Sequence, residues 1–167
     1  MERLWAVWRM AYIDQATSVP KEELSCIFCE LPKQEDPDAS MIVERREAVF
    51  ALLNIYPYNT GHTMVAPLRH VASLEDLSEE EILALGILVK DTLAALRHAY
   101  SPDGFNVGIN LGAAAGAGFP GHIHVHVVPR WSGDTNFMPV LADTKVLPED
   151  LRTTLRRVKE GFDAAAG

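Results

Sequence analysis

Basic residues are scarce in this chain: 15 Lys and Arg stand against 23 Asp and Glu, a formal net charge of −8 at pH 7. A general nucleic-acid binder needs a basic field to displace counterions from the phosphate backbone, so the balance argues against that class. A small anionic substrate stays compatible with it, provided the site itself is locally positive. No apolar run approaches the length of a membrane span, and the opening MERLWAVWRM carries charges and no small-residue cleavage site. The expectation is therefore a cytoplasmic protein with no anchor, no signal peptide and no membrane partner. Repeats and a second-domain break are absent too. With 167 residues, 48% of them hydrophobic, the chain can bury one core, and residues 1–167 are read as a single domain.

Cysteine is almost missing, and the two present, Cys26 and Cys29, sit together in SCIFCE. A lone CxxC has three readings: half of a zinc site, a redox pair, or two small hydrophobes. Redox is the weakest, because no thioredoxin-like βαβ pattern surrounds the pair.

What the chain does have is histidine in one place. Residues 121–131, GHIHVHVVPRW, alternate His122, His124 and His126 with Ile123, Val125 and Val127. Period-two alternation in a β-branched run predicts a half-buried strand, with three imidazoles roughly 6–7 Å apart along one face. Imidazole titrates near neutrality, so this face can supply a nucleophile, a proton carrier or a metal ligand.

The rest of the chain can be organised around that strand. Residues 1–20, with Trp5, Trp8, Met10, Tyr12 and Ile13, read as an arm or short helix packing aromatics on the body or on a partner. PKQEDPD (32–38) is a polar loop. MIVER, AVFALLN and HTMVAP, with turns at Glu44–Glu47 and Tyr56–Gly61, predict three strands in an antiparallel meander. Ser78 with Glu81 forms a capping box, and Ile82, Leu85, Val89 and Leu96 recur at helical spacing up to Tyr100, where Ser101-Pro102 stops the helix. DGFNVGIN is a fourth strand. From Pro148 a last amphipathic helix presents Leu151, Leu155, Val158 and Phe162, and the DAAAG tail is expected to fray.

The run LGAAAGAGFPG leads into the histidine strand. Glycine and alanine there suit a flexible hairpin loop, but unobstructed backbone N–H groups also suit an anion. No Walker lysine or helix-opening fingerprint accompanies it; its neighbourhood to three histidines favours the anion.

His122-Ile123-His124-Val125-His126-Val127-Val128 resembles the His-φ-His-φ-His-φ-φ signature of the histidine-triad (HIT) superfamily, and ALLN, PYNTGHTMVAP, the long helix and NLGAAAGAG follow in that family's order. The resemblance covers residues 26 to about 140 and is greatest to the fragile-histidine-triad and bacterial diadenosine tetraphosphate phosphorylase branch, on WAVWRMAYI and HVVPRW…GDTNFMPV. It implies an α+β, HIT-like fold: an antiparallel sheet of about five strands, one long helix and a C-terminal helix over 148–163, after an arm over 1–25. It also implies a homodimer, a nucleotide substrate cleaved at the α-phosphate with phosphate or water as second acceptor, and no organic cofactor.

By the same resemblance His124 is the nucleophile, His126 bonds phosphate oxygens and His62 supports the triad. Asn54 binds ribose, and Asn110 with Gly116, Ala117 and Gly118 lines the phosphate path. Phe28 and Leu52 are the apolar residues on which a base would stack. Neutral imidazole attacks phosphorus without prior deprotonation, and its labile phosphoramidate splits one hard displacement into two easier ones. Relatives with CxxC at this place join it to two histidines around a structural zinc, here His70 and His122, which closes a four-ligand shell.

One position departs from the pattern. Where many relatives carry Ser or Thr three residues before the first histidine, this chain has Phe119. Polyphosphate leaves as a weak base and needs little acid assistance, so the departure favours dinucleoside polyphosphates over phosphoramidates. Two rivals stand beside this reading. One is a metal hydrolase ligated by the three histidines, disfavoured because alternate residues on a strand rarely converge on one ion. The other is a nucleotide-binding signalling module with slow turnover.

Overall fold

The computed structural model describes residues 26–135 and 148–166; the expected arm over residues 1–25 lies outside them. Within them are α1 (Ile27–Glu30), β1 (Ile42–Arg45), β2 (Val49–Leu53), β3 (Thr63–Pro67), α2 (Glu79–Tyr100), β4 (Gly104–Ile109), β5 (Val125–Arg130) and α3 (Leu151–Ala166). The strands form one antiparallel sheet in the order β1-β2-β3-β5-β4.

The first three strands are the expected meander. The turn between β1 and β2 begins later than the sequence suggests, because Glu44 and Arg45 stay in the strand and Arg46 N–H bonds the Val49 carbonyl at 2.9 Å. After β3 the chain climbs through α2, returns along β4 at the sheet edge, and folds back so that β5 inserts between β4 and β3. The strand that carries His126 is thus an interior one, flanked by β3 and the edge strand β4.

Side chains on paired positions share a face. Val49, Ala51, Leu53, Val65, Val125 and Val127 join a core with α2 (Leu85, Leu88, Ala95, Leu96) and α3 (Leu155, Val158, Phe162). The alternate positions, Ile42, Phe50, Leu52, Met64 and Ala66, pack with Phe28 on the opposite face. His126 pairs with Met64 and so belongs to this second face.

Helix α2 carries the capping box: Ser78 Oγ accepts from Glu81 N–H (3.2 Å) and the Glu81 carboxylate accepts from Ser78 N–H (2.9 Å). It ends on Ser101 at φ 46°, a left-handed cap ahead of Pro102. Ile82, expected on its core face, is 45% exposed, and Leu88 takes that role. Helix α3 begins at Leu151 rather than Pro148, because the Asp150 carboxylate caps it, accepting from Arg152 N–H (2.9 Å) and Thr153 N–H (3.0 Å). The tail expected to fray is helical through Ala166.

The largest departure concerns GHIHVHVVPRW. The strand starts only at Val125, so His122 and His124 precede it and the three imidazoles are not a row on one ladder. Ile123 N–H is taken by the Val71 carbonyl at 2.7 Å, which draws this segment out of register with β3.

Candidate functional site

Two sites meet around His122 and His124. His124 is 4% exposed, and its Nδ1 lies 2.9 Å from the His122 carbonyl oxygen. Only an Nδ1–H can donate to a carbonyl, so this bond sets the tautomer and leaves the Nε2 lone pair free. Burial lowers the His124 pKa, which favours the neutral, nucleophilic ring.

His126 stands 4.9 Å from His124 with the rings at 77°. Its Nδ1 is 3.0 Å from His62 Nε2. His62 Nδ1 accepts the Tyr58 backbone N–H at 3.0 Å, so His62 carries its proton on Nε2 and donates it to His126 Nδ1. His126 then bears its own proton on Nε2. Tyr58, whose ring lies 4.6 Å from His62 and 5.7 Å from His126, was not singled out in the sequence; its position four residues before His62 in PYNTGH was the available signal. The loop that carries it is anchored by Asn59, whose Nδ2 donates to Pro129 O (3.1 Å) and to Asp134 Oδ2 (2.9 Å). Arg130 Nε also donates to that Asp134 oxygen at 2.6 Å, and this guanidinium holds the Asp134 carboxyl well below the usual carboxylate range.

Asn54 sits beside this relay: its Nδ2 is 3.4 Å from His62 Nδ1 and its Oδ1 accepts Tyr56 N–H at 2.9 Å. Asn110 follows Ile109, which pairs with Val125, so it lies at the His124 end of the sheet. In the glycine-rich segment Gly112 and Gly116 take φ of 75° and 85°, a conformation open to glycine. The N–H groups of Gly116 and Ala117 close this segment's own turn, on Ala113 O (2.9 Å) and Gly112 O (3.3 Å). Gly118 follows, leading to Phe119, which meets the Phe28 ring edge-on at 5.9 Å. Phe28 and Leu52 are buried, at 1% and 2% exposure, and Phe28 stacks on His124 at 4.6 Å.

His122 points the other way. Its Nε2–H donates to Pro67 O at 2.9 Å, which turns Nδ1 towards Cys26 Sγ (3.4 Å) and Cys29 Sγ (3.6 Å). Cys29 Sγ is 3.3 Å from His70 Nδ1, and the four ligand atoms lie within 4.8 Å of one another. Bond lengths of about 2.3 Å to sulfur and about 2.05 Å to nitrogen at tetrahedral angles put such donors ~3.6 Å apart, so the residues fit a metal ion. A carbonyl on the far nitrogen of a ligating histidine is the usual orienting partner. Burial lowers the His122 pKa, with His70 and His124 adding to the effect, while burial and the neighbouring Cys26 push the Cys29 thiol up. The triad imidazoles do not converge: His122 faces the cysteines and His126 faces His62, which removes the geometry a three-histidine metal hydrolase needs.

A histidine segment leading into an interior strand of a five-stranded antiparallel sheet, beside a long helix, defines the class, and residues 35–133 match the family model described as HIT domain; the chain belongs to the HIT family. Over 160 residues it is 41% identical to the AP-4-A phosphorylase of Mycobacterium tuberculosis, with 93% of this chain and 82% of that protein covered. It is 33% identical over 108 residues to the asymmetrical bis(5'-nucleosyl)-tetraphosphatase of Schizosaccharomyces pombe, covering 62% of this chain and 59% of that one. Among solved structures, a Zn-bound histidine triad family protein from Mycobacterium smegmatis superposes with a TM-score of 0.68 at 28% identity, over 84% of this chain and 94% of that chain. Among the described residues no helix is long and apolar enough to cross a membrane.

Proposed function

We propose that this chain is a HIT-type enzyme that cleaves dinucleoside polyphosphates, with diadenosine tetraphosphate as reference substrate, through a nucleotidyl-His124 intermediate. The observation that carries the reading is the His124 ring, tethered by Nδ1 and presenting Nε2 beside the Tyr58–His62–His126 relay. His124 Nε2 attacks the α-phosphorus as the bond to the bridging oxygen breaks, and the polyphosphate nucleotide departs. His126 Nε2–H donates to a phosphoryl oxygen as charge spreads over these oxygens. Water or inorganic phosphate then attacks the same phosphorus and frees His124. The 41% identity to a phosphorylase favours phosphate. Phe119 supplies no hydroxyl to a leaving group, which favours polyphosphates over phosphoramidates.

The cluster of Cys26, Cys29, His70 and His122 is assigned to a structural zinc. When bound, the ion ties α1 to the segment before β5, with four protein ligands and no position left for substrate. The chain acts as a homodimer in this reading. β4 at the sheet edge and the exposed Ile82, Leu83 and Ile87 on α2 offer apolar surface for a second copy. Light scattering that finds only monomer at micromolar concentration would end the dimer assignment.

The deciding experiment is incubation with diadenosine tetraphosphate, with and without phosphate, and separation of products. ATP plus ADP in phosphate identifies the phosphorylase; ATP plus AMP identifies the hydrolase and the water acceptor. A very slow turnover with tight binding would instead support the signalling module. His124→Ala should abolish turnover and leave nucleotide binding within about tenfold, since only the covalent step is lost. Turnover persisting in this variant would refute the nucleotidyl-His124 reading.

A further inference from the structure

Resting on His124 as nucleophile, we propose that Phe28 is a positioning residue for the reaction: the face of its ring holds the His124 imidazole in the orientation from which Nε2 attacks. The two rings are stacked, with centroids 4.6 Å apart and planes 24° from parallel. The tether from Nδ1 to the His122 carbonyl fixes one edge of the imidazole and still allows the ring to swing about that bond. A flat partner against the ring face stops this swing. His126 cannot serve as that wall, because it meets His124 at 77°.

Phe28 is itself held from several sides. It lies in the single turn of α1 between Cys26 and Cys29, whose sulfurs stand 3.4 and 3.6 Å from His122 Nδ1. Its ring also lies 5.2 Å from His122, and Phe119 closes its edge at 5.9 Å. Phe50, Leu52 and Met64 fill the same cluster. At 1% exposure the ring is enclosed, and its face-to-face contact is the one with His124. A displacement of about 1 Å at a reacting group can cost on the order of a hundredfold in rate, so an imidazole left to swing is a sufficient cause for slow chemistry.

Phe28→Leu keeps the side chain apolar and removes the flat face, whereas Phe28→Tyr keeps the face. Each variant is assayed for single-turnover formation of the nucleotidyl-enzyme, for kcat and KM with diadenosine tetraphosphate, and for melting temperature. For Phe28→Leu the single-turnover rate and kcat should fall about 10- to 100-fold. Its KM should stay within about threefold of wild type, and Phe28→Tyr should stay within about threefold in kcat. Should the Leu variant not fold, Phe28→Met, flexible enough to fill the gap, replaces it. An unchanged single-turnover rate in a folded variant would reduce Phe28 to core packing. A loss confined to KM would return it to the base pocket. Both results overturn the proposal and leave the nucleotidyl-His124 reading intact, since that reading fails only if His124→Ala retains turnover.

Discussion

His62 and His126 meet nitrogen to nitrogen, Nε2 to Nδ1 at 3.0 Å, and the Tyr58 backbone N–H on His62 Nδ1 gives this contact a direction. The proton on His126 Nε2 is therefore determined by a main-chain group of the PYNTG loop. His62→Ala removes the donor that selects this tautomer and should lower kcat by about 10- to 100-fold, the range expected when an acid–base partner loses its orientation. His62→Gln, which keeps an N–H in the side chain, should recover part of the loss. Steady-state kinetics on both variants tests this; equal kcat in Ala and Gln variants would show that His62 serves only to pack against Tyr58.

Local signals in the sequence identified local structure well. Ser78 and Glu81 are three residues apart, and their capping box is present. Helical spacing did not separate Ile82 from Leu88, because both fit the period and only the sheet decides which is covered. Nor could alternation show that the strand begins after His124: Ile123 is drawn to Val71 and His122 to Cys26, contacts made over 52 and 96 residues. The cluster of Cys26, Cys29, His70 and His122 was legible only through family resemblance, and the stacking of Phe28 on His124, again across 96 residues, had no local signal.

Gly161 marks where α3 crosses α2. A Cβ added there would lie 2.4 Å from the Ala95 carbonyl oxygen, a backbone atom that cannot turn aside. Alanine would gain about 1 kcal/mol in helix propensity. Overpacking against backbone costs roughly 1–3 kcal/mol, so the clash should win. Gly161→Ala is expected to melt a few degrees lower by calorimetry, and a higher melting temperature would mean that the helices part without penalty.

Glu81 links α2 to the segment that carries His70. Arg69 grips its carboxylate through Nε (2.8 Å) and Nη2 (2.7 Å), and Ser78 N–H adds a third bond. With Arg69 as the chief cause, its pKa falls from 4.5 to about 2. A depressed carboxylate stabilises the fold above its unfolded pKa, and that stability disappears as pH drops from about 4.5 to 2. The pair is partly exposed, so the effect should be about 0.5–1 kcal/mol. Glu81→Gln should be less stable than wild type at pH 7 in urea titrations, with the gap closing towards pH 2. A gap that does not change with pH would refute a stabilising role for the ionised carboxylate.

The metal cluster makes the most direct claim on composition. Four protein donors within 4.8 Å of one another, one of them oriented by the Pro67 carbonyl, should hold about one zinc per chain in protein purified without added metal or affinity resin. A bound ion would join α1, the segment after β3 and the segment before β5, which are 41 to 96 residues apart, so its binding free energy would also be folding free energy. An ion present at a thousand times its dissociation constant contributes about 4 kcal/mol. At roughly 2–4 °C per kcal/mol for a chain of this size, chelation should lower the melting temperature by on the order of 10 °C. Cys29→Ser and His70→Ala should lose the metal and become insensitive to chelator. His70 is exposed and touches no reacting group, so His70→Ala should keep measurable turnover while His124→Ala keeps none. Wild-type protein that contains no metal and melts at the same temperature with and without zinc would refute the assignment.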